Sequence, residues 1–135
     1  MIAVADTHVV LWWYRDDPAL PSWMASHLEA WQQRGERVGV SAISLWEIAK
    51  LAERGKIRLR ATLEDFLEQL ERDPLFEVVP LSVRVIAEST RLGPSFHRDP
   101  ADQLIVATAR VHGVRLLSVD ERIQASGLVA LLEPK

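Results

Sequence analysis

The chain has 135 residues, 48% of them hydrophobic, and a formal net charge of −3. That length suits one domain with one substantial core, the apolar content excludes a disordered chain, and the charge argues against holding nucleic acid by bulk positive charge. Cysteine is absent, so disulfides and thiolate metal sites are excluded; a reducing, cytoplasmic setting is expected, and only oxygen ligands and histidines are left to hold a metal.

Ile2 to Ala5 reads as a short buried strand closed by Asp6. The opening Met1-Ile2-Ala3-Val4-Ala5-Asp6 has neither a basic leader nor a small-residue cleavage pattern, so no secretion signal is expected. The apolar runs are too short to span a bilayer. Thr7 to Tyr14 reads as a short aromatic-rich helix broken at Asp16-Asp17-Pro18, and Pro18 to Gln33 as a second helix ending before Gly35. Val38-Gly39-Val40 is a brief strand. Ser41 then opens a helix with Ile43, Trp46, Ile48, Ala49 and Leu51 on one face, stopped by Gly55.

Thr62 to Arg72 reads as a helix with Leu63, Phe66, Leu67 and Leu70 on one side. Phe76 to Val79 is a strand ended by Pro80, and a helix follows from Ser82 to about Leu92. Gly93 to Arg98 is a loop. Asp99-Pro100 opens a helix that runs to about His112, with Gly113 as its stop. Val114 to Val119 is a strand closed by Asp120, and Leu128 to Leu132 a last short one. This alternation predicts an α/β fold with a mostly parallel sheet covered on both faces. With no repeat, low-complexity tract or linker, residues 1–135 read as a single domain.

Four acids stand at comparable places in this plan. Asp6 and Asp120 close apolar strands, while Glu47 and Asp102 lie in the opening turns of two helices. Each has a structural explanation. Asp6 is a favourable N-cap. Ser44-Leu45-Trp46-Glu47 matches a capping box, in which Glu47 returns to the Ser44 backbone. Asp99-Pro100-Ala101-Asp102 is a cap, a first-position proline and a first-turn acid, and Asp120 could cap a short turn. Taken singly, Glu47 and Asp99 favour that explanation. Taken jointly, strand ends and helix starts meet at the carboxyl edge of one sheet, where open α/β folds bind ligands. Several carboxylates gathered there cannot all ionise without a counter-charge. A divalent cation supplies it, and oxygen ligands favour Mg²⁺ or Mn²⁺.

The ordered set Asp6-Thr7-His8, Ser41-Ala42-Ile43-Ser44-Leu45-Trp46-Glu47-Ile48-Ala49, His97-Arg98-Asp99-Pro100-Ala101-Asp102-Gln103-Leu104-Ile105-Val106-Ala107 and Leu116-Leu117-Ser118-Val119-Asp120 resembles PIN-domain ribonucleases. Its nearest branch looks like the VapC-type toxins of bacterial toxin–antitoxin pairs. The resemblance covers essentially the whole chain. It implies a three-layer α/β/α sandwich and Mg²⁺- or Mn²⁺-dependent hydrolysis of RNA, with Asp6, Glu47, Asp102 and Asp120 as the metal-binding, catalytic acids. It also implies that Asp99, Ser118 and Thr7 assist beside them, that the chain dimerises with itself, and that a VapB-like antitoxin binds it. The family's usual aromatic and arginine flanking the third acid are here Ala101 and Gln103, a departure that touches substrate contacts rather than the acids.

Further residues stay open between function and structure. His97 and Arg98 precede the third acid in a loop that should line the crevice, and phosphate contact is the favoured reading. Lys50, Arg54, Lys56, Arg58 and Arg60 form either a solvated helix end or a phosphate-contacting patch, of which Lys50, Arg54 and Lys56 are the candidate RNA contacts. His8 reads as a polar helix residue, and His27 and His112 carry no pattern. Trp12, Trp13, Tyr14, Trp23, Trp31 and Trp46 could serve base stacking, a core or a subunit interface. Two other functions fit parts of the pattern. A receiver-like phospho-acceptor domain shares length and clustered acids but needs paired acids after the first strand and a later lysine. A non-catalytic interaction domain of the same fold would not need all four acids.

Overall fold

The computed structural model describes residues 1–134. Its sheet has four strands, β1 (Ala3–Ala5), β2 (Val38–Ser41), β3 (Phe76–Val79) and β4 (Arg115–Leu117), in the order β3-β2-β1-β4. All three pairings are parallel, with Val4 opposite Gly39 on one side and Leu116 on the other. Parallel neighbours need long crossovers, and helices supply them. α1 (Thr7–Arg15) and α2 (Ser22–Arg34) join β1 to β2. α3 (Ala42–Glu53) and α4 (Leu63–Arg72) join β2 to β3. α5 (Val83–Ser89) and α6 (Pro100–His112) lead back to β4, and α7 (Glu121–Ser126) follows it.

Side-chain alternation along the short strands separates two cores. Ala3, Ala5, Val38, Val40 and Leu117 pack with Val9, Met24, Leu28 and Phe76 on one face. Val4 and Leu116 pack with Ile105, Val106, Ala109 and Ile123 on the other. Helices therefore cover both faces, which makes the expected three-layer α/β/α sandwich. A smaller cluster of Leu11, Ile48 and Phe66 ties α1, α3 and α4 together. Gly39 keeps the centre of the sheet tight, since a Cβ there would lie 3.1 Å from Val79 Cγ2 and 3.3 Å from Val4 Cγ2.

Five features differ from the sequence expectation. The second helix begins at Ser22 rather than Pro18, because the Asp17 carboxylate takes the Ala19 amide at 2.9 Å and holds a turn first. α5 stops at Ser89 instead of about Leu92; Ser89 and Thr90 hydroxyls donate to the Ile86 and Ala87 carbonyls and compete with the helical ladder. The strand expected at Leu128–Leu132 is only a single parallel bridge between Leu131 and Leu116, since the Leu128 carbonyl is taken by Arg110 at 2.9 Å. The turn expected after Asp120 is a six-residue helix, held by Asp120 at its start and by fully buried Ile123. β4 is correspondingly shorter than Val114–Val119, because Gln124 of α7 takes the Ser118 carbonyl at 3.0 Å.

Candidate active site

The chain lays down β1, β2 and β3 to one side and then returns to place β4 on the other side of β1. That reversal makes β1/β4 the topological switch point, where helices leave in opposite directions and a crevice opens at the carboxyl edge. Asp6 immediately follows β1 and Asp120 lies just beyond β4. A cleft of about 280 Å³ is lined by Asp6, Glu47, Asp99, Asp102, Asp120 and Arg122, with His8, Trp12 and Val119 completing its wall. All four predicted acids and their predicted neighbour Asp99 thus share one space.

Three of these acids are also helix caps. Asp6 accepts from the Thr7 amide at 2.8 Å. Asp99 accepts from the Ala101 amide at 3.0 Å, with Pro100 opening α6. Asp120 accepts from the Arg122 and Ile123 amides at 2.9 and 3.2 Å. The structural reading and the functional one hold together here: capping pins each carboxylate at the rim, and lone pairs remain for another partner. The capping-box reading of Glu47 fails. Ser41, not Ser44, caps α3, and Glu47 Oε1 instead meets Thr7 Oγ1 at 2.5 Å.

Hydroxyls from separate elements orient the acids. Ser118 Oγ donates to Asp6 Oδ2 at 2.7 Å and accepts from the Asp120 amide at 3.1 Å. Thr7 Oγ1 lies 2.8 Å from the buried Ser44 hydroxyl as well as against Glu47. A hydroxyl donates only once, so Thr7 gives its proton to Glu47 and takes one from Ser44. His97 Nε2 stands 2.6 Å from Asp102 Oδ2, and because a carboxylate only accepts, that nitrogen carries the proton. His97 also stacks on Phe96, with ring centroids 4.4 Å apart. His97, expected to contact phosphate, here holds the third acid through Nε2, while Arg98 is exposed beside it.

The electrostatics follow from crowding. Burial pushes Glu47 up to about 7, and the charges of Asp6, Asp102 and Asp99 add to the rise against the Thr7 hydrogen bond. Burial likewise raises Asp6, against the pull of Ser118 and the Thr7 amide. Asp102 is raised by burial and by Asp6, Asp99 and Asp120, with His97 opposing. Asp120 goes the other way: burial is outweighed by hydrogen bonds from the Arg122 side chain and from the Ile123 and Arg122 amides. Arg122 Nη2 lies 3.3 Å from Asp120 Oδ2 and 3.6 Å from Asp102 Oδ2. A surplus of carboxylates held above their ordinary pKa suits a divalent cation of oxygen-ligand preference. As they stand, the acids turn to hydroxyl, imidazole and guanidinium neighbours, and among the described residues no three acidic or histidine side chains form a ready chelate.

The basic stretch stands outside the cleft wall. Lys50 pairs with Glu53 at 3.2 Å, and Arg54 and Lys56 are exposed beyond it. Arg58 and Arg60 line a separate cavity of about 710 Å³ at the far end of α1, beside Tyr14, Arg15 and Phe66, which holds none of the four acids. None of these five basic residues lines the acid cleft. Sequence reasoning missed Arg122 and Ser44. Arg122 carried a signal, standing two residues after a capping acid, whereas Ser44 was absorbed into the capping-box pattern.

The PIN domain family model matches residues 3–127. Ribonuclease VapC22 of Mycobacterium tuberculosis is 35% identical over 120 residues, covering 89% of this chain and 88% of that protein. Among solved structures, VapBC2 from Rickettsia felis bound to a promoter DNA fragment superposes with a TM-score of 0.71 at 15% identity, covering 98% of each chain. A toxin–antitoxin complex from Klebsiella pneumoniae gives 0.68 at 18% identity, again over 98% of each chain. These two likenesses establish the fold, and the family match leaves no support for a receiver domain. With the match spanning nearly the whole chain and the acids in one cleft, this protein belongs to the PIN domain family.

Proposed function

We propose that the chain is a divalent-metal-dependent endoribonuclease, folded as a single nuclease domain, and the toxin of a toxin–antitoxin pair. The observation that carries the reading is the meeting of Asp6, Glu47, Asp102 and Asp120 in one cleft at the switch point. The identity to a ribonuclease over most of both chains supports RNA as the substrate. Neighbours solved as toxin–antitoxin complexes support a VapB-like antitoxin as partner, and a homodimer is the assembly that goes with this reading. No helix among the described residues is long and apolar enough to cross a membrane, and a cytoplasmic site of action fits a cysteine-free chain that meets RNA.

Asp6, Glu47, Asp102 and Asp120 would hold Mg²⁺ or Mn²⁺. When bound, the cation lowers the pKa of water and polarises a phosphoryl oxygen. The chain's own residues perform the positioning. Ser118 and the Thr7 amide fix both oxygens of Asp6, so its remaining lone pairs face the cleft in one orientation. Thr7 fixes Glu47, and His97 fixes Asp102. Asp99 adds negative charge beside them from its cap position. Arg122, 61% exposed at its side chain, can leave Asp120 and Asp102 for the phosphate of an incoming strand.

The test is cleavage of single-stranded RNA by purified protein with Mn²⁺, with Mg²⁺ and with EDTA, beside Asp6→Asn and Asp120→Asn. Cleavage that needs the metal and vanishes in both variants is expected. Undiminished metal-dependent cleavage by both variants would overturn the assignment.

A further inference from the structure

Four of the five tryptophans are accounted for by packing. Trp31 is buried, and Trp12, Trp13 and Trp23 lie against the core beneath α1 and α2. Trp46 alone stands out, 55% exposed on α3 immediately before Glu47. Its ring borders a second cavity of about 500 Å³, formed with Ile43, Leu81, Pro100 and Ala101. Glu47 and Asp99 line both this cavity and the acid cleft, so the two adjoin. Lys50 Nζ lies 5.6 Å from the centroid of the Trp46 ring, on the same helix face one turn further on.

We propose that Trp46 is a stacking platform for one nucleobase of the RNA strand, next to the phosphodiester that is cut. The inference rests on the nuclease reading and specifies its substrate subsite. A strand whose phosphate reaches the acid cleft must place a neighbouring nucleoside on one side or the other. On the Trp46 side it meets an apolar, aromatic-walled space that the acids themselves border. A base desolvates onto such a wall at little cost because every base has a π-face. The cation of Lys50 beside the ring then suits the next phosphate along, which a purely apolar protein contact would not require. Ile43, Leu81, Pro100 and Ala101 offer the base edge no side-chain hydrogen-bond donor or acceptor, and the polar side chains on the border of the space are the carboxyl groups of Glu47 and Asp99. The platform therefore selects for unpaired, unstacked nucleotides and for stacking strength, purine over pyrimidine.

The test uses the full chain carrying Asp120→Asn to prevent cleavage, with a short fluorescent single-stranded oligoribonucleotide as probe and anisotropy as readout. Adding Trp46→Ala should weaken binding about tenfold to a hundredfold, the usual loss of one base–aromatic stack, while Trp46→Phe should stay close to the parent. In a series of oligonucleotides each with one abasic position, a single position beside the cut should lose affinity for the parent and lose nothing further for Trp46→Ala. In the cleaving protein, Trp46→Ala should raise KM more than it lowers kcat. If Trp46→Ala binds the strand as well as its parent, the platform is refuted. It is equally refuted if the variant instead shifts the oligomeric state in sedimentation with strand affinity per protomer unchanged, for the surface then belongs to a second copy. Both outcomes are distinct from failure of the nuclease reading, in which the parent neither binds nor cuts RNA.

Discussion

Ser118 donates its hydroxyl proton to Asp6 at 2.7 Å across a separation of 112 residues. The same oxygen accepts the Asp120 amide at 3.1 Å. One hydroxyl at the end of β4 thus sets the orientation of the acid after β1 and the start of the helix carrying the last acid. Ser118→Ala should cost about 1–2 kcal/mol of stability by leaving buried partners unsatisfied. Loss of an orienting partner should also weaken divalent-metal affinity roughly 10–100-fold. Thermal melts and Mn²⁺ titration of the variant check both, and unchanged metal affinity would show that Ser118 only supports the fold.

Asp6→Asn separates chemistry from folding. Asparagine is an equally good N-cap, its oxygen can keep the Thr7 amide, and the Ser118 hydroxyl can turn to accept from its NH₂. Cleavage should fall to background. Because burial already penalises the charged form of Asp6, the metal-free variant should melt at or above the parent at neutral pH. A large drop in Tm would instead make Asp6 a structural residue.

The raised acids set a pH dependence whose sign can be worked out. Glu47 titrates near 7 in the folded protein against an ordinary value of 4.5, and Asp6 and Asp102 are displaced in the same direction. Between 4.5 and about 7 the folded chain therefore binds more protons than the unfolded one. Stability of the metal-free protein falls as pH rises through that window. Metal competes with those protons, so Mn²⁺ affinity should rise over the same range. Asp120, held low, acts oppositely, its contribution disappearing only as the pH drops to strongly acid values. Urea melts at pH 5.5 and 8, with EDTA and with Mn²⁺, check the crossing. Greater metal-free stability at pH 8 would contradict it.

Arg122 is the cation nearest two of the acids, 3.3 Å from Asp120 and 3.6 Å from Asp102. Arg122→Gln removes a competitor for the cleft's negative charge. Mn²⁺ should bind the variant several-fold more tightly, and KM for RNA should rise. The effect on Mn²⁺ should shrink with added salt, because the side chain is mostly exposed. Calorimetric titration at two ionic strengths decides it, and weaker metal binding in the variant would place Arg122 among the supports of the site.

Much of this molecule is written along the chain. The apolar runs at Ala3–Ala5 and Phe76–Val79 and the Asp99-Pro100 helix start announce their elements, because period and caps act over a few residues. So does the placement of each acid at a strand end or helix start. Local pattern misleads where a distant partner competes. Ser44-to-Glu47 has the spacing of a capping box, yet Thr7 of α1 claims the Glu47 carboxylate. His97 looks like a loop residue free for phosphate, yet Asp102 holds it. The sequence by itself determined the α/β class and which acids could matter, since those depend on hydrophobic periodicity and residue type. Only the tertiary structure decided that β4 lies beside β1, that four acids share a cleft with Arg122, and that Trp46 stays outside the core. Those outcomes depend on which surfaces are buried together across a hundred residues, and neither spacing nor propensity encodes that singly.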